Sequence, residues 1–151
     1  MKLSSKTRYG LRALVALARL PLGHTVQVRQ LAEQEGIPAR FLEQVFQDLR
    51  RAGLVSGRRG PRGGFRLNRS AEAIALIDVV RALEGPIRLV DLRRSAEEAA
   101  GPVEATVREA LHEAAERMEG VLAEPSVAEL ARRAEERARR DMPPHRYTYV
   151  I

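Results

Sequence analysis

The chain contains no cysteine and no tryptophan, and aromatic residues make up only 4% of it. Without cysteine it can form no disulfide, no thiolate metal site, no cysteine-held iron–sulfur cluster and no cysteine nucleophile. With so few rings, its core has to be built from Leu, Val, Ile and Ala, as in a mostly helical protein. Long apolar runs are missing as well, since nothing approaches the roughly 20 residues needed to span a bilayer. The opening stretch MKLSSKTRYG lacks the signal-peptide order of charge, apolar segment and small-residue cleavage site, so cytoplasm is the expected location and no membrane partner is expected. Lysine is scarce too. Of 26 basic residues only Lys2 and Lys6 are lysines, which reflects coding bias as much as function.

What is present suits one domain, or a compact domain with an appendage: 151 residues, 44% of them hydrophobic. The net charge of +6 is unevenly spread. Residues 1–70 carry 14 Lys/Arg against 4 Asp/Glu, a balance of +10, and residues 71–151 carry 12 Arg against 16 Asp/Glu, a balance of −4. Arginine scattered by composition alone would not reverse sign between halves. A polyanion partner for the first half, nucleic acid foremost, is the expectation.

Along the chain, SSKTRYGLRALVALARL (4–20) opens with serines able to cap a helix and continues with a helical stripe of Tyr9, Leu11, Leu14, Val15, Leu17 and Ala18. Pro21 and Gly23 stop it. TVQV (25–28) is β-prone and leads into RQLAEQEG, a brief helix with Gly36 as its C-terminal stop. IPARFLEQVFQDLRRAG follows, with Pro38 in the first turn, Phe41, Leu42, Val45, Phe46 and Leu49 as the apolar face, and Gly53 at the end. Two helices joined by a few residues around Gly36 match the helix-turn-helix plan. LVSGRRGPRGGFRLN then fits two short strands, near 54–57 and 64–67, around a Gly/Pro loop. Helix-turn-helix followed by a basic hairpin is the winged-helix layout.

The second half reads as helix, loop and helix. IALIDVVRALEG (74–85) is one more packed helix, and an irregular stretch crosses Ser95 to Pro102. A long helix is expected from about Val103 to Ala123, its seam formed by Val103, Val107, Ala110, Leu111, Ala114, Met118, Val121 and Leu122. That seam can pack within the chain or join two copies. A long helix after a finished small domain has little else to bury against, which favours the dimer as much as the intrachain alternative. After Pro125, Ser126 and Glu129 stand at capping-box spacing before a charged helix, and DMPPHRYTYVI is a proline-containing tail expected to be mobile. The expected organisation is a DNA-binding domain over 1–85, a connecting region over 86–102, dimerisation helices over 103–140 and a tail over 141–151. The fold class is mainly α with a small β-hairpin wing.

The most unusual stretch is RRGPRGGFRL. A phosphate cradle would need Gly-Lys-Ser/Thr followed by a helix, but Gly64 is followed by Phe65 and Arg66 in strand-like alternation. A wing tip remains, in which glycines let the backbone approach a sugar–phosphate wall and Arg58, Arg59 or Arg62 enters a minor groove. The bland counterpart is a solvated basic hairpin. On the helix before it, Ala39, Arg40, Glu43, Gln44 and Gln47 lie opposite the apolar face. Gln can pair with adenine, Glu can accept from cytosine, and Arg can contact guanine or phosphate. For catalysis the chain offers His24, His112 and His145 with no defensible nucleophile arrangement. Glu109, His112, Glu113 and Glu116 share one helical neighbourhood, which reads more simply as a solvated polar stripe than as a metal site. No enzyme and no cofactor are expected.

With these residues in view, MKLSSKTRYGLRAL and LAEQEGIPARFLEQVFQDLRRAGLVSGRRGPRGGFRL closely resemble the N-terminal domain of the Rrf2 family of bacterial winged-helix regulators. The FLEQ, GLV and RGPxGGF elements carry the match, which extends more loosely to about residue 131. The resemblance implies a homodimer, its long helices crossed, that binds a pseudo-palindromic operator in double-stranded DNA. It places Arg40, Glu43 and Gln44 toward the major groove and Arg59 in the minor groove, with Lys6, Arg8 and Tyr9 near phosphates. Gly60, Pro61, Gly63 and Gly64 shape the wing beside Arg58 and Arg62. Cluster-binding members of the family use three cysteines just before the long helix, and the equivalent stretch here, about 88–109, has none. The resemblance is therefore to a cluster-free branch whose input is a partner protein, a small molecule or none. A protein–protein module and a non-specific architectural DNA binder are the alternatives.

Overall fold

The computed structural model describes residues 3–21, 23–60, 63–89 and 101–141. Helix α1 (Ser5–Ala18) starts where Ser4 turns its hydroxyl onto the Thr7 amide, a side-chain N-cap. α2 (Val28–Glu35) ends on Gly36 in the left-handed region at φ 62°, and the chain turns through Ile37 and Pro38 into α3 (Ala39–Arg51). That short connection sets the two helices in a helix-turn-helix.

The hairpin follows at once. β1 (Val55–Arg58) pairs antiparallel with β2 (Gly64–Leu67), Val55 facing Leu67 and Arg58 facing Gly64. Val26 adds a one-residue third strand, exchanging hydrogen bonds with Phe65 at 3.0 and 2.8 Å. The β-prone TVQV stretch thus contributes a single bridge before α2 begins, because Val28 already belongs to the helix. A 3-10 turn (Ala71–Ala73) leads to α4 (Leu76–Glu84), and the long α5 (Pro102–Ala123) and the final α6 (Val127–Asp141) complete the described elements.

The core lies where α1, α3, α4 and the hairpin meet. Leu14, Leu42, Val45, Phe46 and Leu49 have no solvent exposure, and the Phe65 ring packs on Phe46 at 4.8 Å. Gly10 is what lets α1 come this close. A Cβ there would sit 2.4 Å from Leu83 Cδ1 and 3.2 Å from Val45 Cγ1. The Glu84 carboxylate ties the end of α4 to the start of α1, accepting from the Ser4 amide at 2.8 Å and from the hydroxyls of Ser4 and buried Thr7, each at 2.5 Å. These bonds, that to the Ser4 hydroxyl foremost, hold the Glu84 carboxyl below its ordinary range.

α6 joins this core. Val127 is fully buried, its amide donates to the Ile74 carbonyl at 2.8 Å, and the helix packs along α1 and the 3-10 turn. The Ser126 hydroxyl caps it by accepting from the Glu129 amide at 3.1 Å, while the Glu129 carboxylate is taken up by Arg132 and Arg133.

α5 behaves differently. One part of its apolar seam docks within the chain, with Ala115, Met118 and Leu122 meeting Ile77, Val80 and Ile87 in a small second cluster. Arg81 and Glu119 fasten that contact at 2.5 Å, and Glu119 also accepts from the Ile87 amide at 3.3 Å. The remainder faces outward: Val103 is 77% exposed, Val107 50%, Leu111 38% and Val121 64%. Of the seam positions, Ala114 is half-buried.

Candidate nucleic-acid interface

The outer face of α3 follows from its inner one. With Leu42, Val45, Phe46 and Leu49 sealed in the core, residues three and four places apart on the other side form a single stripe. Arg40, Glu43, Gln44 and Gln47 occupy it and are all exposed. Neither Arg40 nor Glu43 makes an ion pair among the described residues, so their polar groups remain available to a partner.

The hairpin, packed on α3, carries exposed arginines of its own. Arg58, Arg59 and Gly60 are exposed, and neither arginine has an ion pair among the described residues. Gly63 donates to the Gly60 carbonyl at 2.8 Å, closing a tight turn, and Gly60 sits at φ 111°. At Gly63 a Cβ would fall 2.3 Å from the Arg58 carbonyl, and at Gly64 it would fall 2.4 Å from the Val26 carbonyl. Both glycines are therefore required by close approach of the backbone to itself, one across the tip and one onto the third strand. Pro61 and Arg62 lie outside the described residues.

The start of α1 borders the same surface. Lys6 pairs with Asp48 of α3, and Arg51 reaches the same carboxylate. The Lys6 hydrogen bond, aided by Arg51 and opposed by partial burial, pulls the Asp48 carboxyl below its ordinary range. Tyr9 is half-buried, edge-on to Phe41 at 5.7 Å, with the Arg8 and Arg12 guanidinium groups 5.3 and 5.9 Å from its ring centre. Arg12 is held in turn by Glu35 at 3.1 Å.

The fold thus gathers Lys6, Arg8, Tyr9, Arg40, Glu43 and Gln44 on the α1–α3 side and Arg58, Arg59, Gly60, Gly63 and Gly64 on the hairpin. Sequence reasoning missed Asp48 and Arg12. The Asp48–Arg51 spacing of three was visible as a helical ion pair, but the contact from Lys6, 42 positions away, had no local signal.

Elsewhere, His112 Nε2 and Glu116 Oε1 stand 3.5 Å apart on exposed α5, and among the described residues no three His, Asp or Glu side chains converge as metal ligands would. Among the described residues, no helix is long and apolar enough to cross a membrane.

A helix-turn-helix with an outward polar stripe, followed by a basic two-stranded wing, defines a DNA-binding winged-helix transcription regulator. Comparison with known proteins makes the class specific. Residues 3–133 match the family model Rrf2, described as iron-dependent transcriptional regulator, and the chain belongs to that family. It is 35% identical over 113 residues to the HTH-type transcriptional regulator CymR of Bacillus subtilis, spanning 75% of this chain and 82% of the relative. The solved structure of that B. subtilis CymR, the global cysteine regulator of that organism, superposes with a TM-score of 0.73 at 32% identity, covering 88% of this chain and 98% of the other. IscR of T. potens superposes at 0.69 with 29% identity, covering 95% and 93%.

Proposed function

We propose that the chain regulates transcription as a homodimer on a pseudo-palindromic operator, each copy laying α3 in a major groove and its wing in the adjoining minor groove. The single observation that carries this reading is the pairing of two unsatisfied surfaces. One is the polar stripe and wing, with Arg40, Arg58 and Arg59 unpaired among the described residues. The other is the outward seam of α5, with Val103, Val107, Leu111 and Val121 in solvent. An exposed apolar stripe of this kind marks an interaction surface, and a twofold joining of α5 to its copy would present two winged helices together. The domain that addresses DNA is then residues 1–85, with dimerisation in 103–140 and carried chiefly by α5.

Roles follow from chemistry. Arg40, Glu43 and Gln44 read base edges. Arg59 enters the minor groove while Arg58 and Arg62 contact its walls, and Gly60, Pro61, Gly63 and Gly64 shape the tip. Lys6, Arg8 and Tyr9 hold the phosphate backbone. Because these are largely arginine contacts, affinity should fall with salt at a slope of about −0.9 per phosphate neutralised.

The family description names iron, so the donor set of this chain matters. A protein-held iron–sulfur cluster rests on thiolates, and the chain has no cysteine. In the stretch before α5 the donors are the carboxylates Asp91, Glu97 and Glu98, and on α5 His112 stands 3.5 Å from Glu116, with no group of three possible ligands among the described residues. These residues do not fit a cluster, and we infer a regulator that works without one.

Footprinting on genomic fragments, followed by mobility-shift titration of the protected site against unrelated duplexes at fixed salt, tests the reading. Preference for the protected site by at least 1,000-fold is expected, in line with specific regulators at about 10³ or more. Equal affinity for every duplex would make the chain an architectural binder. No DNA affinity at all would turn its basic face toward an acidic protein.

A further inference from the structure

A cleft of about 260 Å³ lies between the stretch after α4 and the middle of α5. Its floor is apolar, formed by Ile87 and Ala115, both nearly sealed from solvent, with Leu111 at the lip. It is held open by fixed contacts, since Glu119 anchors the Ile87 amide and Arg81 together and so pins the two walls.

The polar lining sets Arg88 and Arg108 with Glu116, Glu119 and His112. Arg88 and Arg108 both line the cleft, and neither has an ion pair among the described residues. The Nε of Arg108 is shielded from solvent with no hydrogen-bond partner, although buried donors are almost always satisfied. Of the two carboxylates in the lining, Glu119 is engaged by Arg81 and the Ile87 amide, and Glu116 is exposed, 3.5 Å from His112. What the Arg108 Nε lacks is an acceptor, and an anion carrying an apolar body over Ile87 and Ala115 would supply one.

We propose that this cleft is a binding site for a small organic carboxylate, with the carboxylate on Arg108 and Arg88 and an aliphatic or aryl tail on the apolar floor. It concerns the chain's own ligand chemistry and stands apart from the operator reading. Leu111 also belongs to the outward seam of α5, so a bound carboxylate would lie beside the surface offered to a second copy.

Amide chemical shifts of the ¹⁵N-labelled full chain, titrated with hexanoate and separately with hexanamide, test it without DNA. Hexanoate should give saturable shifts at 87–89 and 108–116, and hexanamide should bind at least 10-fold more weakly. Arg108→Gln should weaken hexanoate at least 10-fold, as should Arg88→Gln, which lies on the opposite wall and guards against a folding artefact in either variant. Arg117→Gln, at an exposed position of α5 outside the cleft lining, should change nothing. The proposal is overturned by unsaturable or absent shifts with every straight-chain carboxylate from butanoate to octanoate. It is also overturned by equal binding of the amide, or by wild-type affinity in both arginine variants.

Discussion

α3 and α5 are both amphipathic helices, yet they spend their apolar faces in opposite ways. On α3 Leu42, Val45, Phe46 and Leu49 are buried and Phe41 is half-buried, while Arg40, Glu43, Gln44 and Gln47 look outward. On α5 a short stretch around Ala115 docks on α4, and four large apolar residues stay in solvent. The first helix is complete within one chain and presents a polar face. The second is left half-covered, and its unburied side is what a second copy of the chain would cover. An outward polar stripe on a finished core and an outward apolar stripe on an unfinished one are therefore different kinds of surface, and they should fail differently when mutated.

The largest effect should come from the finished core. Phe46→Ala removes a ring with no solvent exposure that also touches Phe65. It should cost about 3–5 kcal/mol of stability, read as a lower urea midpoint, and take DNA binding with it. A loss below roughly 1 kcal/mol would mean that α3 is not anchored as described.

Next is the unfinished side. Val107→Glu combined with Leu111→Glu should leave the helical circular dichroism and urea midpoint of the isolated chain nearly unchanged, because both residues are exposed within the chain. It should weaken self-association by about 100-fold or more, since charges are placed in an apolar contact. Sedimentation velocity across a concentration series reads this directly, and an unchanged mass would remove α5 from the dimer contact.

Arg59→Ala acts on the polar side alone. Operator affinity should drop about 10- to 100-fold, as expected for one specific arginine contact, with mass and thermal midpoint unchanged. Normal affinity in a mobility-shift titration would retire the wing role. The smallest effect concerns Glu84, whose carboxyl titrates lower in the folded chain than in the unfolded one. The stability it contributes is present above the unfolded value near 4.3 and is lost as pH falls through the lower folded value. Glu84→Gln should therefore flatten the acid side of the stability profile. The change should be roughly 0.5 kcal/mol, because a surface carboxylate is screened by solvent. An identical acid limb would show that the Ser4 and Thr7 bonds do not depend on charge.

Much of this was legible in the residues. The helix-turn-helix, the hairpin and the long helix follow from apolar spacing and from glycine and proline stops, and the chain's membership of the Rrf2 family agrees with the RGPRGG and FLEQ elements. The contacts that needed three dimensions were not legible. Nothing local announces that Glu84 will cap the far end of α1, that Lys6 will meet Asp48, or that Gly10 is a contact point rather than a helix weakness. Periodicity also gave the α5 seam as one continuous stripe, because spacing along a helix does not say where a neighbouring helix ends. Only the packing of α4 divides it into a docked part and an open part.

The central claim is that α5 brings two winged helices to one operator. Native mass spectrometry of the wild-type chain on its footprinted site tests it most directly. The account predicts two 16.8 kDa chains per full site, falling to independent single-chain binding at each half-site in the Val107→Glu, Leu111→Glu variant. A single wild-type chain saturating the full site would contradict it.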